Sequence, residues 1–260
     1  MRDTAIIIPC YNEETRLPPD AFLAYARQHG AIHFIFVNDC STDATGMIID
    51  TLCSRLPRQC TALHLPHNLG KAGAVRAGFQ QAFGKQYDAI GFWDADLATP
   101  LNEIDPFCAL LRDSPDCQMV LGSRVRLLSR RIERQAARHY LGRIFATLAS
   151  FTLGLTVYDT QCGAKLFANT ATLRKVFAKP FMVNWIFDVE ILARFILLTE
   201  EQGERPLEEI ACEYPLRQWH DIPGSKLKAR DFWRAIYETT QIWNILRGPG
   251  RRRYYEGLKG

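Results

Sequence analysis

Several signatures that would assign a function directly are missing from the sequence. There is no G-x-x-x-x-G-K-[ST] phosphate loop and no G-x-G-x-x-G dinucleotide fingerprint, which disfavours P-loop ATP hydrolysis and nicotinamide-dependent oxidation. The eight cysteines include no C-x-x-C pair, so a zinc site has little support and a disulfide framework has none. Internal repeats and low-complexity segments are also absent, and the composition is that of an ordinary globular protein.

Long apolar runs are scarce as well. The longest charge-free stretch near the middle, Ile144–Tyr158, is shorter than the ~18–20 residues that a transmembrane helix needs. The chain opens with Arg2 and Asp3, and the apolar run Ala5–Pro9 is too short for a signal peptide. A chain of 260 residues is long enough for one large domain or two small ones. We therefore expect a cytoplasmic protein without a transmembrane segment.

The net charge of +4 conceals an asymmetry between the two halves of the chain. Residues 1–123 hold 9 Lys or Arg and 14 Asp or Glu, whereas residues 124–260 hold 23 and 14. Seven arginines and a single acid, Glu133, fall in residues 124–143. This split predicts an anionic partner for the second half, with a solvated basic face as the plain alternative. Phosphates and acidic membrane both fit, whereas nucleic acid is disfavoured because no aromatic interleaving or RNA-binding motif accompanies the arginines.

The first 123 residues alternate short apolar runs with helix-like segments. The runs are near-continuous, which is typical of strands covered on both faces. This pattern predicts an α/β fold with a mostly parallel central sheet and helices on both faces, whose ligands bind beyond the carboxyl ends of the strands. The predicted strands are 5–9, 34–37, 61–64, 89–93 and 119–122, and the predicted helices lie around 19–29, 43–56, 71–84 and 103–112.

The second half of the chain is less regular. A basic helix is predicted over 129–153, and the tail 248–253 is expected to be a loose end. The other predicted elements are helices over 187–201 and 229–246, a loop over 159–167 that leads into a short strand, a strand over 210–216 and a turn at 223–225.

The sharpest local feature is Asp94-Ala-Asp96, which follows an apolar strand. In an extended segment the two aspartate side chains point the same way, because side chains repeat every two residues. Two hard carboxylates on one side suit Mg²⁺ or Mn²⁺ that also holds a diphosphate. The plain alternative is a pair of solvated turn acids, because D-x-D alone is common.

Polar residues also follow the other predicted strands. Tyr11 is suited to stack on a base, and Glu13 and Asp39 to accept hydrogen bonds from a base or a ribose. The short glycine loop Asn68–Gly73 resembles a phosphate cradle that opens a helix. The structural alternatives are a turn with a partly buried tyrosine and a helix cap at 41–43.

Taken in order, these motifs resemble a known family. Pro-x-Tyr-Asn-Glu, Asn-Asp, Asn-Leu-Gly-Lys-x-Gly, Asp-x-Asp and Gly-Ser-Arg have the order and spacings of the inverting family 2 glycosyltransferases of GT-A fold. The pattern further resembles the polyprenyl-phosphate branch, above all the dolichyl-phosphate β-glucosyltransferases and then the mannose synthases. The resemblance runs from about residue 4 to residue 230, and the segments that carry it are 11–17, 94–99, 122–124, 159–163, 185–190 and 224–226.

The resemblance implies an inverting, metal-dependent transfer of a hexose from a nucleotide sugar, with UDP-glucose leading, to a polyprenyl phosphate. The implied metal is Mg²⁺ or Mn²⁺ on Asp94 and Asp96, and the implied catalytic residues are Asp96 and Arg124. The implied donor-binding residues are Pro9, Tyr11, Glu13, Asn38, Asp39, Lys71, Asp94 and Ala95. The implied acceptor- or phosphate-binding residues are Arg124, Arg134, Arg138, Gln161, Asp188, Ser225 and Lys226.

The same resemblance implies a domain arrangement. Residues 1–228 would form the catalytic domain, with a nucleotide-binding half over 1–123 and an acceptor-binding half over 124–228. Residues 229–260 would add an amphipathic helix and a basic tail. Because the implied acceptor is a membrane lipid, we expect peripheral attachment on the cytoplasmic face, through an anionic membrane surface or a membrane partner subunit. Trp233, Ile236 and Tyr237 share one face of the predicted helix, where packing on the core is the alternative.

Four positions depart from the family pattern. The mannose synthases have a metal-contacting Gln at the position of Ala98. The glucosyl branch has Ala there, as this chain does. Leu97 and Ala72 stand where Gly is usual, and Asn38 where Asp is common. None of these removes a metal-binding carboxylate. They leave the donor sugar open, with GDP-mannose as the other donor. A soluble or polysaccharide acceptor is a second alternative, and a nucleotide-sugar-binding protein without turnover is a third.

Overall fold

The chain folds into two compact units. The computed structural model describes residues 3–125, 127–128, 130–133, 136–222 and 229–259. Unit 1 comprises Met1–Pro115 with Gly163–Asn169, and unit 2 comprises Asp116–Cys162 with Thr170–Gly260.

The strands and helices have the following bounds. The strands are β1 (Thr4–Cys10), β2 (Ile32–Asn38), β3 (Cys60–His64), β4 (Ala89–Trp93), β5 (Met119–Ser123), β6 (Arg131–Glu133), β7 (Ala164–Ala168), β8 (Ala211–Pro215) and β9 (Gln218–His220). The helices are α1 (Pro19–Gln28), α2 (Thr45–Arg55), α3 (Gly70–Phe83), α4 (Ile104–Asp113), α5 (Ala136–Leu153), α6 (Ala171–Ala178), α7 (Phe187–Gln202), α8 (Leu207–Ile210), α9 (Ala229–Arg247) and α10 (Arg251–Lys259).

Unit 1 is built on a sheet with the strand order β3-β2-β1-β4-β7. β1 pairs in parallel with β2 and with β4, and β2 pairs in parallel with β3. All five residues of β4 are buried, as expected for a strand covered on both faces. The predicted α/β fold with a mostly parallel sheet is therefore confirmed. β7 runs antiparallel to β4, a direction that its short apolar run does not encode.

A glycine lets α3 lie close to the sheet. Gly78 is buried in this helix, which contacts β1 and β2. A Cβ atom at position 78 would stand 2.4 Å from the Ile7 side chain and 3.1 Å from that of Val37. The helix can therefore keep this position only while residue 78 carries no side chain. Because Lys71 lies in the first turn of α3, the same contact helps to place that lysine.

Unit 2 is organised around α7, which is buried from Phe187 to Thr199. Within it Glu190 and Arg194 form a buried ion pair at 2.7 Å. The Tyr254 hydroxyl, from α10, donates a hydrogen bond to Glu190 at 2.5 Å. A buried charge is tolerated only when it is paired, and this cluster satisfies that condition while it ties the last helix to the core.

The helix α9 packs on α5 and α7. Its apolar residues Ile242 and Leu246 are buried, whereas Tyr237 is 64% exposed. The buried carboxylate of Glu238 accepts hydrogen bonds from the backbone N–H groups of Trp185 and Ile186 at 2.9 and 3.0 Å. The face of α9 that belongs to the core of unit 2 therefore carries Glu238, Ile242 and Leu246, and it is not the face of the exposed Tyr237.

Two elements of the second half differ from the prediction. The helix predicted from residue 129 begins only at Ala136, because Ile132 is buried and β6 pairs in parallel with β9. The tail 248–253, predicted as a loose end, leads into α10, which begins at Arg251 and whose residues Tyr255 and Leu258 are buried. The predicted turn at 223–225 lies outside the described residues.

None of the described helices is both long enough and apolar enough to cross a membrane.

The close approach at Gly78 generates a stability prediction. Gly78→Ala places a methyl group against Ile7 and Val37, and overpacking of this kind lowers the free energy of unfolding by about 1–3 kcal/mol. Urea unfolding followed by circular dichroism measures it. Gly30→Ala is the matched control, because a Cβ there meets no atom within 4 Å. Equal stability of the two variants would contradict the packing described here.

Candidate functional site

The chain turns sharply where β4 ends, and this turn displays the two aspartates of the D-x-D motif. The Leu97 N–H donates to the Asp94 carbonyl at 3.2 Å, and Leu97 has a left-handed φ of 53°. The Ala98 N–H donates to the Asp96 carboxylate at 3.2 Å. Glycine adopts such a φ without strain, so the family's usual Gly at this position has a conformational reason, and Leu97 keeps the turn at some cost.

Gly163 provides the space that the Asp94 side chain occupies. The Asp94 N–H donates to the Gly163 carbonyl at 3.1 Å. A Cβ at position 163 would lie 1.8 to 2.5 Å from the three carboxyl atoms of Asp94. Sequence reasoning did not assign Gly163 to the site, although it closes the motif 159–163.

Each aspartate has a basic neighbour. Lys71 Nζ lies 2.5 Å from Asp94, and Arg16 Nη1 lies 3.8 Å from Asp96. Arg16 also pairs with Glu13. Burial, and then the negative charge of Asp94, raise the pKa of Asp96, while Arg16 and Lys71 act in the opposite direction. Arg16 was not predicted as a site residue, although it lies inside the quoted motif 11–17.

The loop that follows β1 is tied to the loop that follows β2. The Asn12 N–H donates to the Ser41 hydroxyl at 3.1 Å, and the Thr42 N–H donates to the Asn12 side chain at 2.9 Å. The Glu13 N–H donates to the Thr45 hydroxyl at 2.8 Å. These contacts bring two parts of the predicted donor site together. The flanking Tyr11 ring is 39% exposed, and so is accessible to a base.

Asp39 connects β2 to the start of α3. Its N–H donates to the Cys10 carbonyl at 2.9 Å, and its carboxylate accepts the Leu69 N–H at 2.7 Å. Burial raises the pKa of Asp39, and backbone hydrogen bonds from Leu69 and Gly70 oppose that shift. The carboxylate thus orders the glycine loop that leads to Lys71.

Asn38 has both ends of its amide engaged within unit 1. Its Oδ1 accepts the Ser41 N–H, and its Nδ2 lies 3.1 Å from His64 Nδ1. His64 in turn contacts Asp50 at 2.9 Å. Asn38 therefore helps to order the loop after β2, and its contact with a donor stays a prediction. The two remaining donor residues differ in exposure, since Ala95 is buried and Pro9 is partly exposed in β1.

Arg124 is held in one position within unit 2. Its guanidinium donates two hydrogen bonds to the Asp159 carboxylate, at 2.6 and 2.8 Å, and lies 5.4 Å from the Trp219 ring centre. The Asp159 N–H donates to Glu213 at 2.7 Å, and the Gln161 N–H donates to Asp159. Arg124 and Gln161 thus meet at Asp159, which sequence reasoning did not single out.

The other acceptor candidates have different positions. Asp188 is buried in the first turn of α7, where a negative charge is favourable. The side chain of Arg138, in α5, and residues Arg134, Ser225 and Lys226 lie outside what the structure describes, so their roles stay predictions.

The aspartate pair fits a divalent cation. Its carboxylates are the hard oxygen ligands that Mg²⁺ and Mn²⁺ prefer. A cation bound to both would relieve the repulsion by which Asp94 raises the pKa of Asp96. Among the described residues no group of three or more His, Cys, Asp or Glu forms a complete protein cage, so the other ligands would come from phosphate and water.

Comparison with known proteins gives a consistent result. The sequence model of glycosyl transferase family 2 matches residues 5–177. The chain is 34% identical over 245 residues to the dolichyl-phosphate β-glucosyltransferase of Drosophila melanogaster, which covers 89% of this chain and 70% of the relative. The enzymes of that name from Saccharomyces cerevisiae and Homo sapiens are 33% and 32% identical, with 86% and 89% of this chain covered and 68% and 71% of the relatives.

Solved structures share the fold. Glucosyl-3-phosphoglycerate synthase from Mycobacterium tuberculosis superposes with a TM-score of 0.64 at 15% identity, over 95% of this chain and 81% of that one. Its complex with Mn²⁺, UDP-glucose and phosphoglyceric acid gives 0.63 at 18% identity, over 94% and 80%. These likenesses confirm the predicted GT-A fold.

The contact between Gly163 and the Asp94 carboxylate generates a binding prediction. In Gly163→Ala the new methyl group displaces the Asp94 carboxylate, so Mn²⁺ affinity falls by at least about tenfold while stability changes by about 1 kcal/mol or less. Titration calorimetry with Mn²⁺ and a thermal melt measure the two effects. Gly84→Ala is the control, because its Cβ makes an ordinary 3.5 Å contact. A folded Gly163→Ala protein with unchanged Mn²⁺ affinity would contradict this placement of the cation.

Proposed function

The chain belongs to glycosyl transferase family 2 and is a glycosyltransferase, and on that premise we propose that it transfers glucose from UDP-glucose to a polyprenyl phosphate. The observation that carries the proposal is the D-x-D turn, whose two carboxylates are partly exposed, adjacent and flanked by Lys71 and Arg16. The choice of sugar and acceptor rests on the similarity to dolichyl-phosphate β-glucosyltransferases over most of both chains.

Unit 1 would bind the donor. The exposed ring of Tyr11 stacks on the base, and Asp39 and Glu13, both fixed by the contacts between the loops after β1 and β2, face the nucleoside. With a cation on Asp94, Lys71 would be available to contact a donor phosphate. Because Glu13 and Asp39 are held by hydrogen bonds that involve backbone N–H groups, little ordering is required when the donor binds.

Asp94 and Asp96 would hold Mg²⁺ or Mn²⁺. When bound, the cation supplies Lewis-acid stabilisation of the charge that develops on the leaving nucleoside diphosphate. The two aspartates would hold the cation beside that charge. Because Gly163 has no side chain, the Asp94 carboxylate can keep its orientation.

Arg124 would bind the acceptor phosphate or the donor diphosphate. Its guanidinium is fixed by Asp159 and Trp219, so its orientation is set before a phosphate arrives. The acceptor phosphate is already anionic, and its oxygen attacks the sugar carbon without a strong general base. Gln161, whose backbone is tied to Asp159, is the neighbouring polar group that would contact the acceptor.

The transfer reaction itself is directly testable. Incubation with a polyprenyl phosphate and a panel of radiolabelled nucleotide sugars, followed by identification of the lipid product, should yield a glucosyl lipid from UDP-glucose. Excess chelator should abolish the product, and Mn²⁺ or Mg²⁺ should restore it. Asp96→Ala should lower turnover by roughly 100-fold or more, because several kcal/mol of charge stabilisation depend on the metal.

The matched control is Asp20→Ala, because Asp20 is an almost fully exposed carboxylate of the same unit and should leave turnover unchanged. Faster transfer from GDP-mannose would show that the donor is GDP-mannose and not UDP-glucose. A product formed only with a soluble acceptor would show that the acceptor is not a polyprenyl phosphate. Full activity in excess chelator would exclude the proposed metal site.

We also propose that unit 2 attaches to the cytoplasmic face of an anionic membrane, directly or through a membrane partner subunit. The most exposed large apolar side chains among its described residues are Leu128 at 97% and Phe151 at 83%. Arg130 and Arg131 follow Leu128 closely in the chain. Basic residues near an anionic leaflet contribute ~1 kcal/mol each, and apolar side chains insert beneath the head groups.

Sedimentation with anionic liposomes tests this attachment. The wild type should pellet at low salt and less at high salt, because screening weakens the attraction. Leu128→Ser with Phe151→Ser, and separately Arg130→Gln with Arg131→Gln, should each reduce pelleting. Met47→Ser is the control, since Met47 is an exposed apolar residue of unit 1. A wild-type protein that stays in the supernatant at low salt would rule out direct attachment.

A further inference from the structure

Unit 2 contains a cavity that none of the described residues of the proposed site lines. Its volume is about 450 Å³, within the range of about 300–1,000 Å³ usual for small-ligand sites. It lies between α10 and the segment that follows α6, around Lys179 and Pro180. The buried side chains of Ile245 and Leu258 form its apolar lining. The cavity therefore offers an apolar surface that water covers poorly.

The walls of this cavity are preformed. Arg194, which lines it, donates hydrogen bonds to the carbonyls of Val176, Lys179 and Pro180 at 2.6, 2.9 and 2.6 Å. Arg194 also donates to the Tyr254 hydroxyl at 2.8 Å, so the α10 wall is tied to the same guanidinium. A cavity held in this way requires little ordering when a ligand enters it.

Among the residues that the structure describes, two cations at the cavity have no acidic partner. α10 opens with three arginines, of which Arg251 pairs with acids of α7 and Arg252 pairs with Glu256. Arg253, which lines the cavity, has no carboxylate within 4.0 Å in the part of the chain that the structure describes. The same holds for Lys179 on the opposite side. Both side chains are exposed, so the cavity joins an apolar interior to a positively charged rim.

We propose that this cavity binds a single-chain anionic amphiphile. The apolar chain would lie against the exposed ring of Pro180 and over Ile245 and Leu258, where burial of apolar surface provides the affinity. The carboxylate or phosphate head would lie at Lys179 and Arg253, where charge-assisted hydrogen bonds orient it. This site is separate in its residues from the donor and acceptor sites, and so goes beyond the proposed transfer reaction.

Gly257 makes the proposal testable without damage to the core. It lines the cavity in α10, and a Cβ atom there meets no atom within 4 Å. Gly257→Leu therefore adds a side chain to open space at the cavity wall, and leucine is also a better helix former than glycine. Lys179→Gln with Arg253→Gln removes the charge of the rim and leaves the cavity open.

The experiment is titration calorimetry of the full chain with dodecanoate below its micellar concentration. The wild type should bind one dodecanoate, and Gly257→Leu and the Lys179→Gln, Arg253→Gln double variant should each raise Kd by at least about tenfold, or 1.4 kcal/mol. Dodecyl maltoside, which has the chain without the charge, and inorganic phosphate, which has the charge without the chain, should each bind at least about tenfold more weakly. Arg252→Gln is the matched control and should bind as the wild type does.

Absence of dodecanoate binding to the wild type would overturn the proposal. So would an unchanged Kd in both the filled and the uncharged variants, or equal affinity for dodecyl maltoside. Gly257→Leu should keep the wild-type rate of sugar transfer, which separates this site from the acceptor site. Failure of the transfer assay would leave the binding result intact, so the two proposals fail independently.

Discussion

The geometry of the D-x-D turn depends on one close approach, that of the Asp94 carboxylate to the backbone of Gly163. The antiparallel register of β7 against β4, with Trp93 opposite Ala164, brings these two residues together just beyond the strand ends. Because residue 163 has no side chain, the carboxylate can lie against the backbone and still meet Lys71. A single strand direction thus decides how one of the two D-x-D carboxylates is held.

Buried charge imposes a similar order on unit 2. Arg124, Asp159 and Glu213 form one connected set of charge-assisted hydrogen bonds, and Glu190 and Arg194 anchor another. An uncompensated buried charge costs several kcal/mol, so each of these groups restricts the positions of its partners. The result is that the Arg124 guanidinium in one set, and the wall of the α10 cavity in the other, are held in place before any ligand binds.

The described part of the site is also shaped by backbone conformations that are uncommon for side-chain-bearing residues. Leu97 and Asn12 both have a left-handed φ, of 53° and 52°, in the loops that carry Asp96 and Glu13. Asparagine tolerates this region because its short side chain hydrogen-bonds locally, as Asn12 does with Thr42. Leucine has no such compensation, so the turn keeps its shape at Leu97 at some cost in stability.

Composition, periodicity and motif spacing were sufficient to predict the α/β fold and the four parallel strands of unit 1, because these depend on local patterns of apolar and polar residues, but they placed Asp94 and Asp96 in an extended segment where the chain turns. They did not predict the antiparallel β7, the late start of α5 or the packed α10, because strand direction and the partners of a basic segment depend on distant residues. The partners Arg16, Gly163 and Asp159 escaped prediction for the same reason. The sequence by itself determined which chemical groups are present and on which strand ends they lie. Only the tertiary structure decided which charge each of them meets, since that depends on contacts between residues far apart in the chain.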